Sequence, residues 1–191
     1  MSLPELHVRL PDWVESFLEQ WPQVLAEPEQ RMELAIALSR ENIRQQTGGP
    51  FGAVVFDGQG RLVAPGVNLV TSANCSILHA EMVALALAQQ RLERYDLSNG
   101  GTERLELVSS TEPCAMCFGA VPWSGVRRLV CGARDADARS IGFDEGPKPQ
   151  DWRRGLEQRG IEVKADILRD QAAEVLREYA LGGGAIYNSC F

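Results

Sequence analysis

The sequence predicts an α/β fold of three layers, in which a mixed sheet of about five strands carries helices on both faces. Two observations predict this class. Short apolar runs of strand length alternate with segments of helical composition, and their order along the chain reads α-β-β-α-β-α-β-(α)-β-α. With 191 residues, of which 45% are hydrophobic and 24% charged, the chain has the length and composition of one ordinary domain.

The first predicted elements of this domain are a helix and a β-hairpin. Residues 28–46 repeat apolar side chains with a helical period, and the pattern stops at Gly48-Gly49-Pro50. An apolar run at 51–56 and a β-type pattern at 61–68 follow. The intervening Asp57-Gly58-Gln59-Gly60 has turn composition, so the two strands are expected to pair.

The central elements are more apolar than the first ones. Residues 77–90 consist largely of Ala, Leu, Met and Val, which are too apolar to face water, so a buried helix is expected. Buried strands are predicted at 105–109 and 126–132. Pro113 opens a helix at 114–121, because proline is well tolerated where the backbone N–H has no partner.

The last third of the domain begins with a polar segment, 135–149, that is predicted to be a loop. A helix at 152–158, an alternating strand at 161–165 and a helix at 172–181 complete the predicted sheet and its covering layers. The run Gly182-Gly183-Gly184 then reads as a linker to a short tail.

The N-terminal segment carries Trp13, Phe17 and Trp21 at i, i+4 and i+8. This spacing lays three aromatic rings along one helical face, which is expected to dock onto the core, although an interaction surface is the alternative. The predicted organisation is an N-terminal extension at 1–27, a catalytic domain at 28–181 and a C-terminal tail at 182–191.

Charge and composition exclude several classes of protein. The formal net charge of −7 and the pI of about 4.9 argue against a nucleic-acid substrate, because binding to phosphates is driven by Lys and Arg. The first residues do not resemble a secretory signal, and the longest apolar run, Met82 to Ala88, is far short of the roughly 20 residues of a membrane span. The five cysteines are an odd number and are better read as thiols or metal ligands, which favours a cytoplasmic protein.

Two motifs carry the chemistry of this chain, His79-Ala80-Glu81 and Pro113-Cys114-Ala115-Met116-Cys117. They supply one imidazole and two thiolates, a donor set that suits Zn²⁺. A structural zinc site is usually closed by four side chains, whereas a catalytic site keeps three and leaves one position open. A redox C-x-x-C pair or a core histidine is the plainer reading of either motif alone, and Cys75, four residues before His79, is a rival ligand.

Glu81 is interpreted as a proton carrier beside the metal. On a regular helix it points about 200° away from His79, so ligation of one ion by both side chains is awkward. Zinc lowers the pKa of a bound water to about 7, and a nearby carboxylate can pass that proton to a substrate nitrogen. The alternative is an acid that stabilises the helix dipole.

The two motifs together resemble the cytidine/deoxycytidylate deaminase superfamily, over about residues 28–181. Further segments resemble its guanine deaminase branch. They are Pro50-Phe51-Gly52-Ala53, Gly66-Val67-Asn68, Trp123 and the acidic loop Ile141-Gly142-Phe143-Asp144-Glu145-Gly146-Pro147.

This resemblance implies a cytidine-deaminase-like fold, one Zn²⁺ per chain, and hydrolytic deamination of a free purine base, most similar to guanine giving xanthine and ammonia. The implied metal ligands are His79, Cys114 and Cys117. The implied catalytic residues are Glu81 and Glu145, and the implied substrate-binding residues are Asn68, Ala80, Trp123 and Asp144. It also implies a homodimer in which C-terminal elements help to close the partner's site. The tail 185–191 is therefore expected to act as a lid, with fraying as the alternative.

Several alternatives remain open at this point. The same chemistry serves tRNA adenosine, cytosine or cytidine, ammeline-type triazines and modified purines. A catalytically inactive, zinc-stabilised binding module is the alternative from another class, although Glu81 would then have no purpose. Asn68 can be a turn residue, Trp123 a core residue, and Asp144 with Glu145 a solvated loop.

Overall fold

The computed structural model describes residues 3 and 5–188. In chain order its elements are α1 (Trp13–Leu18), α2 (Pro28–Arg44), β1 (Gly52–Phe56), β2 (Leu62–Val67), α3 (Ala80–Arg91), β3 (Glu106–Thr111), α4 (Ala115–Ser124), β4 (Arg128–Ala133), α5 (Asp135–Ser140), α6 (Trp152–Glu157), β5 (Glu162–Lys164) and α7 (Arg169–Leu181). Within the described ranges, no helix has both the length and the apolar character needed to span a bilayer.

The five strands form one mixed sheet in the order β2-β1-β3-β4-β5. Strand β1 pairs antiparallel with β2 and β3, whereas β3, β4 and β5 run parallel to one another. The parallel steps place the carboxyl ends of β3 and β4 side by side, so the loops that follow these two strands meet at one edge of the sheet.

Side chains alternate between two cores on opposite faces of the sheet. Val54 and Phe56 pack with α2 and α7 on one face, and Ala53 and Val55 pack with α3, α4 and α6 on the other. Both cores are closed to water, which is why the strands read as continuous apolar runs. The predicted three-layer α/β/α class is confirmed.

A glycine in β2 sets the position of α3. A Cβ atom at Gly66 would lie 2.2 Å from the carbonyl oxygen of Ala80 and 2.5 Å from the backbone nitrogen of Ala84. Only a residue without a side chain allows this approach. The first turn of α3, which carries the H-A-E motif, is thereby held directly against the sheet.

The differences from the predicted helices that matter for the site lie at the two motifs and in the polar loop. Helix α3 begins at Ala80 and α4 at Ala115. His79 and Cys114 therefore precede their helices, and both have extended backbones, with ψ angles of 157° and 173°. The predicted loop 135–149 contains a short helix, α5. That helix escaped prediction because its sequence is polar, and it is held by the Asp137 carboxylate, which accepts hydrogen bonds from the backbone N–H of Arg134 at 2.8 Å and from the guanidinium of Arg169.

The N-terminal aromatic residues pack on the core from outside. The rings of Trp13 and Phe17 meet edge to face at 5.7 Å, and all three aromatic side chains contact the core on the α2 face. The Trp13 indole N–H donates to the Thr47 hydroxyl at 3.0 Å. Trp21 lies beyond the end of α1, so only two of the three rings belong to the helix.

Candidate active site

Three candidate metal ligands converge where α3 and α4 begin. The donor atoms of His79, Cys114 and Cys117 all lie within 4.8 Å of one another. The extended backbones of His79 and Cys114 turn both side chains toward this point, and Cys117 follows one helical turn later. The carboxyl edge of the sheet therefore brings together the two sequence motifs.

The geometry of this cluster fits zinc. The Cys114 Sγ lies 3.5 Å from the His79 Nδ1. Zn–N and Zn–S bonds of about 2.0 and 2.3 Å at a tetrahedral angle give nearly the same separation, and two sulfurs with one imidazole are donors that zinc favours. Among the described residues, Cys75 does not belong to the cluster, so it is not a ligand of this site.

The cluster also favours the ionised form of one thiol. A hydrogen bond from Cys117, together with the His79 ring, lowers the pKa of Cys114 to about 4. The pKa of Cys117 is raised instead, by its hydrogen bond to Cys114 and by burial. A cation placed between them would favour ionisation of both sulfurs.

Glu81 lies beside this cluster on the first turn of α3. Its side chain is buried, and burial together with the Cys114 thiolate raises its carboxyl pKa above the ordinary value. Because His79 precedes the helix, its ring and the Glu81 carboxylate both reach one cavity, and the angular conflict of a regular helix does not arise. A carboxyl with a raised pKa is suited to accept and return a proton.

The cavity has a volume of about 240 Å³ and two unlike walls. His79, Glu81 and Cys114 form its polar floor, and aromatic rings line it above. The rings of Phe51 and Phe143 meet at 5.1 Å, edge to face. Both phenylalanines belong to segments that resemble the guanine deaminase branch, but nothing in their spacing indicated that they line a cavity.

Asn68 is buried and does not line the cavity, but its backbone N–H donates at 3.1 Å to the carbonyl oxygen of Phe51, which does. Its Oδ1 accepts from the backbone N–H of Val70 at 3.2 Å, which is a turn contact, and from that of Gly49 at 3.4 Å. Its Nδ2 is buried and has no hydrogen-bond partner among the described residues. The side-chain oxygen of Asn68 thus stabilises the local backbone, while its side-chain NH₂ remains available to donate a hydrogen bond.

Glu145 lines the same cavity as Glu81, from the loop after α5. It is buried, and burial, the Cys114 thiolate and Glu81 raise its pKa to about 8. Its carbonyl oxygen accepts from the N–H of Ala115 at 2.9 Å, at the start of α4. Asp144 also borders the cavity, but its carboxylate accepts from the backbone N–H of Gly146 at 2.9 Å.

The structure does not bring Trp123 to this cavity. Its side chain is 86% exposed and lies in a surface depression with Tyr95. Six helical residues after Cys117 correspond to about 600° of rotation, so Trp123 points roughly 240° away from that ligand. The expectation that Trp123 lines the base pocket is therefore corrected for this chain.

Ala80 is fully buried, with its N–H at the first position of α3, where no acceptor exists within the helix.

The described part of the tail covers the cavity. The ring of Tyr187 meets that of Phe143 at 5.0 Å, and its hydroxyl is buried without a partner among the described residues. Asn188 donates to the Gly142 carbonyl at 2.8 Å and accepts from the Asp144 N–H at 2.9 Å. Both residues belong to the predicted tail, 185–191, but nothing in the sequence indicated which tail residues contact the cavity. Phe191, which was predicted to belong to the lid, lies outside the described residues.

The chain matches a known family over more than half its length. A profile described as the cytidine and deoxycytidylate deaminase zinc-binding region matches residues 26–133, which include both motifs. The chain belongs to this deaminase family. It is accordingly a zinc-dependent hydrolytic deaminase, and His79, Cys114 and Cys117 form the group that could hold its zinc.

Within this family, the chain is similar to several guanine deaminases. The deaminase is 36% identical over 114 residues to a guanine deaminase of Bacillus subtilis, covering 60% of this chain and 69% of that protein. A solved guanine deaminase from Nitrosomonas europaea is 51% identical, covers 93% of this chain and 97% of its own, and superposes with a TM-score of 0.87. A structure designated NE0047, in complex with 2,6-diaminopurine, is 52% identical over 95% of this chain and 96% of its own, with a TM-score of 0.87. The predicted cytidine-deaminase-like fold is confirmed by these superpositions.

Proposed function

We propose that this deaminase hydrolyses guanine to xanthine and ammonia. The observation that carries the proposal is the cavity, which is lined both by a proton-carrying carboxyl, Glu81, beside the metal ligands and by a second buried carboxyl, Glu145. The aromatic rings that line the same cavity suit a flat heterocycle. The similarity to guanine deaminases and to a 2,6-diaminopurine complex supports the same substrate class.

The proposed recognition matches the edge of guanine group by group. Guanine presents N1–H and N2–H₂ donors, and the carbonyl oxygen of the Glu145 carboxyl can accept from one of them. Because its pKa is raised to about 8, this carboxyl also carries an O–H at neutral pH that can donate to a ring acceptor. Asn68 and Ala80 are buried and do not themselves line the cavity, so their part in recognition rests on the resemblance. By that resemblance the Asn68 Nδ2, which has no partner among the described residues, would donate to an acceptor of the purine ring, and the Ala80 N–H would serve as a second donor. The Asp144 carboxylate is occupied by the loop backbone, so its contribution to binding is the shape of that loop.

The proposed mechanism assigns the proton transfers to Glu81. Zinc held by His79, Cys114 and Cys117 would supply Lewis acidity that lowers the pKa of water to about 7. Glu81 takes a proton from the attacking water as the C2–O bond forms and gives it to a ring nitrogen of the base. It then takes the proton of the new C2 hydroxyl and gives it to the amino group, so that the C2–N bond breaks and ammonia leaves as the C2 carbonyl forms. The enclosed cavity keeps this carboxyl out of bulk water, which strengthens each of these interactions.

A substrate panel tests the proposed function. The zinc-loaded protein is assayed for ammonia release from guanine, adenine, cytosine, cytidine, ammeline and 8-oxoguanine. We expect guanine to show the highest kcat/KM, because a site built to accept hydrogen bonds rejects analogues that lack the donors by orders of magnitude. A higher kcat/KM for cytosine, cytidine or ammeline would replace guanine as the substrate. A higher value for adenine would point to an adenosine-type enzyme.

We further propose that the chain divides into an N-terminal extension at 1–27, a catalytic domain at 28–181 and a tail at 182–191 that acts as a lid. The contacts of Tyr187 and Asn188 over the cavity support this role.

Truncation after Leu181 should lower turnover strongly without releasing the metal. The lid excludes water and completes the cavity wall, so its loss is expected to lower kcat/KM for guanine by about 100-fold. Zinc content should be unchanged, because the three ligands lie upstream of the cut. Colorimetric ammonia release and metal analysis provide the two readouts. A truncated protein that retains full activity would rule out the lid.

We also propose that the deaminase is a cytoplasmic homodimer that pairs through α4. Along this apolar helix, Gly119 and Trp123 are exposed, and Met116 and Ala120 are half-buried. Outside Gly119, its two neighbours and the adjacent helix backbone, no atom of residues 3 and 5–188 lies within 4 Å of a Cβ placed at Gly119. Such a face is typical of a contact between copies. Thiols that must stay reduced to hold zinc suit the cytoplasm. Sedimentation at micromolar concentration should give a dimer mass, and a monomer mass would exclude the pairing.

A further inference from the structure

Arg139, at the end of α5, contacts the residues on both sides of Glu145. Its Nη2 donates to the carbonyl oxygen of Gly146 at 2.8 Å, and its Nη1 lies 3.4 Å from the Asp144 carboxylate. Among the described residues it forms no ion pair with Glu145 itself. One guanidinium therefore holds the chain on either side of the buried carboxyl while leaving that carboxyl free for the cavity.

The backbone between these two contacts is a tight turn. The Asp144 carboxylate accepts from the Gly146 N–H at 2.9 Å, and Gly146 has a φ of +69, which glycine adopts without strain. A Cβ at Gly146 would also come within 3.0 Å of the Ala115 side chain. The direction of Glu145 is thus set by the closure of this turn.

A second cation ties the same loop to the metal-binding helix. The Asp135 carboxylate accepts from Arg139 at 2.6 Å and lies 3.3 Å from the Lys148 ammonium. Lys148 is almost fully buried and donates to the Pro113 carbonyl at 2.8 Å, immediately before Cys114. Asp135 therefore anchors both cations that hold the loop, one on each side of Glu145.

We propose that Arg139 is a positioning residue that keeps the Glu145 carboxyl aimed into the active-site cavity, with Asp135 as its anchor. A buried carboxyl without an ion partner gains free energy by turning toward water, so the loop must resist that motion. Arg139 resists it by closing the turn through Asp144 and Gly146. This inference rests on the function proposed above and specifies how its second carboxyl is held.

Arg139→Met tests the proposal, with Arg139→Lys as the conservative variant. We expect Arg139→Met to lower kcat/KM for guanine by about 10- to 100-fold, the range typical of residues that orient a functional group. Zinc content and Tm should stay near wild type, because the guanidinium is at the surface. Lysine keeps the charge but not the fork of donors, so it should restore activity only in part. Arg177→Met, which removes a surface arginine paired with Glu174, is the matched control and should have no effect.

A double-mutant cycle with Glu145→Gln separates positioning from general stability. If Arg139 acts through Glu145, Arg139→Met should change kcat/KM or the affinity for 8-azaguanine less than about twofold in the Glu145→Gln background. The affinity is measured by calorimetry, so the cycle can be read even where turnover is slow. Independent losses that multiply, or an Arg139→Met protein with wild-type kcat/KM, would overturn the inference. If guanine is not a substrate, the proposed function fails separately, and the same cycle is read with the base that leads the panel.

Discussion

Replacing Glu81 with glutamine is expected to lower the rate of deamination by orders of magnitude while the protein keeps its zinc. Glutamine preserves the size of the buried side chain but cannot take a proton from water and return it to the substrate. General acid–base catalysis contributes about 10²- to 10⁴-fold to a rate, so kcat for guanine should fall by that factor. Ammonia release measures the rate, and metal analysis measures the zinc bound by His79, Cys114 and Cys117.

Glu174→Gln is the matched control for this substitution. Glu174 lies on α7 in an exposed pair with Arg177, so the same chemical change there should leave kcat and zinc content unchanged. A Glu81→Gln protein that retains wild-type kcat would refute the role of Glu81 as a proton carrier. Loss of zinc in that variant would make Glu81 a ligand instead.

Cys117→Ser is expected to remove the zinc and, with it, all measurable turnover. A serine hydroxyl is a poor substitute for a thiolate, and two remaining ligands do not hold the metal. A ligand present at a thousand times its Kd stabilises the native state by about 4 kcal/mol, so the variant should also unfold at lower temperature. Metal analysis, ammonia release and thermal unfolding provide the readouts.

Cys75→Ser separates ligand loss from thiol loss. Cys75 is four residues from His79 in sequence but does not belong to the cluster, so its replacement should keep both zinc and activity. The ligand assignment is wrong if Cys75→Ser loses zinc or if Cys117→Ser retains it.

The sequence was sufficient for the sheet and for the reaction class. Strands that are buried on both faces produce continuous apolar runs, and the hairpin turn at 57–60 joins the first two of them. The metal ligands could be found because each ligand type leaves a local signature, an imidazole before a carboxyl and two cysteines three apart. These local patterns depend only on spacing along the chain, so they can be recognised without knowledge of the tertiary structure.

The substrate side of the site was less predictable, because it depends on contacts distant in sequence. Trp123 was placed in the pocket by resemblance, yet helical rotation turns it to the surface of this chain. The contact of Asn188 with the loop over the cavity could not be predicted, because it depends on the path of the tail. The hydrogen bond from Arg139 to the Gly146 carbonyl could not be predicted either, because it depends on the position of α5. A polar six-residue helix such as α5 has no periodic pattern strong enough to be recognised in advance.

Isotope incorporation tests the central claim most directly. The zinc-loaded protein is incubated with guanine in H₂¹⁸O, and the products are analysed by mass spectrometry and ammonia assay. Hydrolytic attack on C2 predicts one ammonia for each xanthine, with one ¹⁸O atom at the C2 carbonyl and none at C6. Formation of no xanthine, or of xanthine that carries no label at C2, would contradict the account.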